Sequence, residues 1–361
     1  MLETVNALET LAATYPVLTT TSNPWLTTYN SSAYWPAHCN WTGIRCGVNG
    51  SVDAITFDSR INGFQLTGNF SQAWFDIPHL FDLILRAQNF YGTVPTKILV
   101  NSFALTSVTI SNCNLQGPFP PFVNGSTGSA LTRLDFSFNK FTGSIPTQFF
   151  NNPNYTRMTS IDFSHNQFSG TLNVPNCGTN LQNLFVNDNQ LSGTIPCLGM
   201  QTAVDLSNNR FSGDLPVFSS NITELHLDNN RFSGFGTLFT TTRTTTNPLV
   251  FTFSNNPINQ PLPTTIVSGL NFYLLDMSSC GISGSFSSAW QNVALQYLVA
   301  NNNSISALWS PSSTQLTQLV HINMNDNPVV SIPGLGAAAT ALKYLLCHNC
   351  QIAGPISSDI Y

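Results

Sequence analysis

Three groups of residues in this 361-residue chain have types and spacings that could do chemistry. Asp205, His226 and Asp228 form one, Asp135, Asp162 and His165 a second, and Cys347-His-Asn-Cys350 a third. A carboxylate beside an imidazole is the least that acid–base work needs. A C-x-x-C pair can be a redox couple or part of a metal site. Six further cysteines stand at 39, 46, 113, 177, 197 and 280. Whether the members of any group meet depends on the elements that carry them.

Those elements repeat. Leu131-Thr-Arg-Leu134-Asp-Phe136-Ser-Phe-Asn139-Lys-Phe141-Thr-Gly143-Ser-Ile145-Pro146 and Leu181-Gln-Asn-Leu184-Phe-Val186-Asn-Asp-Asn189-Gln-Leu191-Ser-Gly193-Thr-Ile195-Pro196 are two copies of one pattern. Its Asn column runs Gln88, Cys113, Asn139, Asn166, Asn189, Asn209, Asn230, Asn256, Cys280, Asn303, Asn327, Cys350, at intervals of 20 to 27 residues. A degenerate first copy, Val52 to Gly68, precedes them. In each L-x-L segment the two apolar residues share one face of a short strand, and the residue between them takes the other. Such a strand cannot bury its face alone, so copies must stack as a parallel sheet. The Asn side chain, turned inward after the strand, is placed to pair backbone groups that the turn would otherwise bury unpaired.

The repeat fixes the phase of the cysteines. Leu345 and Cys347 take the two inward strand positions and Cys350 the Asn column, so both cysteines are expected to be buried and inert. Cys113 and Cys280 take the same column and the same expectation. Cys177 and Cys197 lie outside the strands of neighbouring copies. Stacking can bring their Cα atoms into the ~4.4–6.8 Å range of a disulfide, and a bridge is expected there.

The copies resemble the plant-type leucine-rich repeat, L-x-x-L-x-L-x-x-N-x-L-x-G-x-I-P. Gly143-Ser-Ile-Pro146, Gly193-Thr-Ile-Pro196, Gly213-Asp-Leu-Pro216 and Gly92-Thr-Val-Pro95 carry the match. The resemblance implies an α/β-type solenoid, a superhelix with a parallel β-sheet on its concave face, short second strands and an irregular, partly 3-10 convex side. The copies at Asn303 and Asn327 lack Gly-x-Ile-Pro, which puts the second strand in doubt there. Residues 1–51 look like the family's N-terminal cap. Leu2, Val5, Leu8, Leu11, Ala12 and Tyr15 have helical spacing, and Trp25 precedes Cys39-Asn-Trp41-Thr-Gly43-Ile-Arg-Cys46. By resemblance Cys39 and Cys46 form a disulfide. Residues 52–361 then hold about 13 repeats, with the C-terminal end uncapped or truncated, since Tyr361 falls in mid-repeat. The family's receptor ectodomains and polygalacturonase-inhibiting proteins are the functional likeness.

Composition bounds the function. Charged residues make up 7% of the chain and net charge is −5, with no Lys/Arg cluster, so nucleic-acid binding is excluded. No apolar run is long enough to span a bilayer, and Met1-Leu-Glu3 does not open a signal peptide, which is expected to be missing from this numbering. Eight Asn-x-Ser/Thr sequons, at Asn30, Asn40, Asn49, Asn69, Asn124, Asn154, Asn221 and Asn302, suit a charge-poor surface made soluble by N-linked glycans. The chain is therefore expected outside the cell or at its surface.

On the concave face the phase gathers Asp205 with His226 and Asp228, and Asp135 with Asp162 and His165. No nucleophile is marked and no deep pocket is implied, so a non-enzymatic protein without cofactor or metal is expected. Val250, Leu274, Tyr297, Val299, His321, Tyr344 and Leu346 collect into an apolar and aromatic patch. It is either a partner site or a contact for a C-terminal portion or flanking loop. The expected function is recognition or adhesion, with a protein or glycan ligand on the concave face. The alternative is a structural glycoprotein that assembles with copies of itself into matrix or filaments. Ice binding has precedent among similar proteins, but the sequence shows no regular Thr array.

Overall fold

The computed structural model describes residues 2–19, 37–99, 104–120, 130–146, 150, 157–172, 180–195, 198–199, 201–239, 247–266, 270–308, 314–332 and 339–353. Contacts divide the chain into two compact units, residues 1–170 with 179–189, and residues 171–178 with 190–361. Each is a stack of turns, one long-sheet strand per turn. No helix among the described residues is long and apolar enough to cross a membrane.

The first unit opens with the helix Leu2–Thr14. It buries Ala7, Leu8, Leu11 and Ala12, and Tyr15 follows at 0% exposure. Val5 is only half-buried. The Tyr15 hydroxyl donates to Asn69 O at 2.8 Å and accepts from Ser71 N at 3.0 Å, and its ring stacks on Trp74. The helix thus covers the first turns, as a solenoid end requires. The short strand Ile44–Cys46 runs antiparallel to Val52–Asp58. Parallel strands follow in chain order: Asp82–Arg86, Ser107–Ser111, Arg133–Asp135, Ser160–Asp162 and Asn183–Phe185.

In the second unit the strands are Ala203–Asp205, Glu224–His226, Leu249–Thr252, Asn271–Asp276, Ala294–Val299, His321–Asn323 and Tyr344–Leu346, each parallel to the next. Short second strands form where Gly-x-Ile-Pro predicts them, for example Lys140–Gly143 and Arg210–Asp214. One also forms where the motif is missing: Ser304–Ala307 pairs with Ser283–Ser285. Backbone pairing to the preceding turn suffices there without the proline.

The inward positions of L-x-L are closed to solvent in the strands before the last, as at Leu134 and Phe136, or Leu225 and Leu227, while Leu345 of the last strand is half-buried. Burying side chains of this size contributes roughly 1.5–3 kcal/mol each. In the first unit Phe119, Phe136, Phe141, Phe163 and Phe168 meet at centroid distances of 5.0–6.2 Å.

The Asn column joins successive turns. Asn166 Nδ2 donates to Phe136 O of the preceding turn at 3.0 Å and to Phe163 and Ser164 O of its own. Asn166 Oδ1 accepts from Phe141 N at 3.0 Å. Where the column carries a free cysteine, at 113 and 280, the thiol replaces the amide donor. Cys280 Sγ lies 3.2 Å from Phe253 O and 3.3 Å from Ser278 O.

Cys39 and Cys46 are bonded, with Cα atoms 5.5 Å apart. Cys177 and Cys197 lie outside the described residues. The expectation for Cys347 and Cys350 is corrected: they are not inert buried thiols but are bonded to each other, and both are half-exposed. The strand ends at Leu346, so Cys347 starts the turn. No described strand follows to cover it, and its sulfur meets the one three residues on.

A further column escaped the sequence reading. The residue just before each Asn-column position has left-handed backbone, with φ between 52° and 58°, from Ala87 through Phe138, His165 and Asp188 to Asn349. Six of these twelve residues are Asn and two are Asp, the side chains that best tolerate this conformation. That bias was the available signal.

Candidate functional site

Asp135, Asp162, Asp205 and His226 lie on parallel strands, and His165 and Asp228 in the turns that follow such strands. In the first unit Asp135 Oδ1 accepts from Ser137 N at 3.2 Å and from Ser137 Oγ at 2.7 Å. Asp162 and Ser164 repeat the pair at 3.0 and 2.6 Å. An Asp-x-Ser spacing along a strand makes this contact local. Burial pushes the Asp162 carboxyl above its usual range, against the opposing effect of the Ser164 hydrogen bonds. His165 does not join these carboxylates. It takes the next, left-handed position, where its ring stacks on Phe138 at 4.0 Å and 17°, and its Nδ1 lies 3.4 Å from Asp188 Oδ2.

In the second unit Asp205–Ser207 and Asp276–Ser278 make the same local pairs. Burial raises the pKa of Asp276. Here an imidazole does meet a carboxylate, that of Glu224, which lies outside the group expected from the sequence. His226 Nε2 lies 3.1 Å from Glu224 Oε1, and its Nδ1 lies 2.9 Å from Thr252 Oγ1. Thr252 donates its hydroxyl to Asp228 Oδ2, while Asp228 Oδ1 accepts from Ser254 N and Oγ at 2.8 Å. A shallow cavity of about 440 Å³ lies over His226, Asp228 and Thr252.

This run has the residue types of a nucleophile–base–acid chain but the wrong donor order. A nucleophilic hydroxyl must give its proton to the base. Thr252 gives its proton to Asp228 and is 8% exposed. The network instead locks neighbouring strands side to side, since Glu224, His226 and Thr252 sit in registered positions of adjacent strands.

The apolar patch forms as one strip. Parallel register places Val250, Leu274, Tyr297, His321 and Tyr344 side by side, and Thr252, Asp276, Val299, Asn323 and Leu346 beside them. Tyr273 joins the strip across a register shift, a residue the sequence reading left out. Ring centroids are 5.1 Å apart for Tyr273–Tyr297, 6.2 Å for Tyr297–His321 and 5.9 Å for His321–Tyr344. Tyr344 is 58% exposed and Leu346 40%.

Of the sequon asparagines, Asn40, Asn49, Asn69, Asn221 and Asn302 are exposed. Asn30, Asn124 and Asn154 lie outside the described residues. His38, Cys39 and Cys46 converge on one point, but both sulfurs are spent in the disulfide, leaving no thiolate for a metal.

Known proteins share this architecture. The leucine-rich-repeat family profile matches residues 130–152. MDIS1-interacting receptor like kinase 1 of Arabidopsis thaliana is 31% identical over 114 residues, which is 32% of this chain and 10% of that protein. The crystal structure of PEPR1–AtPEP1 superposes with a TM-score of 0.75 at 20% identity, covering 100% of this chain and 50% of that one. A plant ice-binding protein superposes at 0.54 with 22% identity, over 98% of both chains. The chain therefore spans half the length of the first of these structures and a small part of the kinase. The structural likenesses speak for the fold, and the repeat columns supply the subclass. With its L-x-L strands, Asn column and second strands, the chain has the leucine-rich-repeat solenoid fold, and its repeats are similar to those of the plant type.

Proposed function

We propose that the chain is a non-catalytic recognition module whose exposed strand face binds an extended peptide or protein segment. The observation that carries this reading is the Tyr273–Tyr297–His321–Tyr344 strip, four rings in contact on one open face. Tyrosines offer large contact area and a polar tip at low conformational cost, and they concentrate in binding hot spots. Polar residues border the strip, with Asp276 and Asn323 in the adjoining column. Peptide recognition by the receptor HAESA, named in its crystal structure, supports the ligand class. The module works outside the cytoplasm: the Cys39–Cys46 bridge, the exposed sequons and the charge-poor surface all favour an oxidising, glycosylating compartment.

Selection of a displayed linear-peptide library on the folded chain tests this reading. Enriched peptides should bind the wild type and lose at least about tenfold in affinity to a Tyr297→Ser, Tyr344→Ser double variant. Failure to enrich, or indifference to the double variant, would sink it. Light scattering addresses the assembly alternative, because a polymer that buries the strip against a second copy removes the free face.

A further inference from the structure

A second exposed aromatic stands in the first unit, away from the tyrosine strip. Phe138 is 53% exposed and has a φ of +54°. Left-handed backbone is disfavoured for bulky side chains and needs compensation from the surroundings. Most neighbours in its column avoid the cost with Asn or Asp. The phenyl ring here does not fill the core.

The surroundings of that ring are built. His165, one turn on, stacks nearly parallel on it at 4.0 Å. His165 is in turn held by Asp188, whose Oδ2 also accepts from Asn187 Nδ2 at 2.8 Å. One face of Phe138 is thus braced. On the other side a cavity of about 330 Å³ opens over the preceding turns. Its rim includes Gln65, Asn89, Asn112, Asn114 and Lys140, all exposed, with small Ala87 beneath. The volume falls at the lower end of the ~300–1,000 Å³ typical of small-ligand sites.

A rigid aromatic face beside carboxamides matches one ligand chemistry. A pyranose ring has a C–H-rich face that packs flat on an aromatic ring, and hydroxyls that both donate and accept. A carboxamide likewise does both. The single cation, Lys140, is too little to hold a phosphate or polyanion, and the rim carries no carboxylate to attract a basic peptide. We propose that the Phe138 cleft is a binding site for an uncharged hexopyranose oligosaccharide. The sugar stacks on the open face of Phe138 and its hydroxyls pair with Asn112, Asn114 and Lys140.

The test is saturation-transfer NMR with cellotetraose, mannotetraose and chitotetraose as neutral probes and tetragalacturonate as the charged one. At least one neutral probe should receive saturation at its ring protons. Phe138→Asn should weaken it by about tenfold, the scale of one lost aromatic contact, while Phe138→Trp keeps it. The Asn variant should fold, because Asn already fills the same position at 112, 208 and 229. Circular dichroism and melting of the variant check this. Tyr344→Ser, which damages the strip proposed for peptides, should leave sugar binding unchanged. No transfer from any neutral probe overturns the site. So does binding that survives Phe138→Asn, depends on Tyr344, or is seen for tetragalacturonate alone.

Discussion

Asn139 reaches one turn back, and its Oδ1 accepts from both Cys113 N at 3.1 Å and Leu115 N at 3.0 Å. Its Nδ2 donates to Ile110 O across the same step and to Phe136 and Ser137 O in its own turn. Five buried backbone groups thus bond one 8%-exposed side chain, and of these Ser137 O also accepts from Asn112 N. Asn139→Ala should cost about 3 kcal/mol or more, since each orphaned buried group costs roughly 1–3. Asn139→Cys, the replacement the column already uses at 113 and 280, should cost less. Urea unfolding of both variants checks the order, and an equal loss would show that the amide is not the link.

Burial pushes the Cys113 and Cys280 thiols up to about 12. The thiolate is the reactive form. Iodoacetamide near neutral pH should therefore leave both unlabelled in the folded protein and label both after unfolding, read by peptide mass spectrometry. Labelling of either in the native state would contradict the burial.

His38 is 2% exposed, with Nε2 3.3 Å from Gly50 O, and burial lowers its pKa below the usual 6.5. Its neutral form is favoured by folding. The stability it contributes is present above pH 6.5 and is lost as the pH falls through the lower folded value. Melting temperature should accordingly drop over this acid range, and His38→Gln should flatten that drop. An unchanged slope in the variant would place the acid sensitivity elsewhere.

Gly43 has a φ of +80°, and a Cβ there would sit 2.5 Å from Thr56 O. That oxygen is backbone and cannot move aside, and Thr56 N donates to Gly43 O at 2.7 Å. Gly43→Ala should loosen the Cys39–Cys46 cap at a cost of about 2 kcal/mol or more. Limited proteolysis should find faster cleavage near residues 40–50 than in the wild type.

The sequence made the strands, the Asn column and the aromatic patch legible because each follows from alternation, and alternation survives in one dimension. What it hid depends on neighbours in space. His165 lines up with Asp135 and Asp162 on paper, yet its left-handed backbone turns it toward Phe138 and Asp188. Cys347 has the phase of a core residue, yet the strand ends at Leu346 and its sulfur is bonded to that of Cys350. Tyr273 entered the tyrosine strip through a register shift that no periodic reading contains.

The Asn side chains of the column bond their own turn and the one before it, as Asn256 does with Ser254 and Phe253 on one side and Leu227 and Phe232 on the other. The link reads the same wherever it is cut. Unequal recombination that excised or duplicated one whole turn, Asn to Asn, would rejoin donors to acceptors without a mismatch. Such a gene can lengthen or shorten by single turns while the chain remains foldable, and the strand face could change reach without passing through an unfolded ancestor.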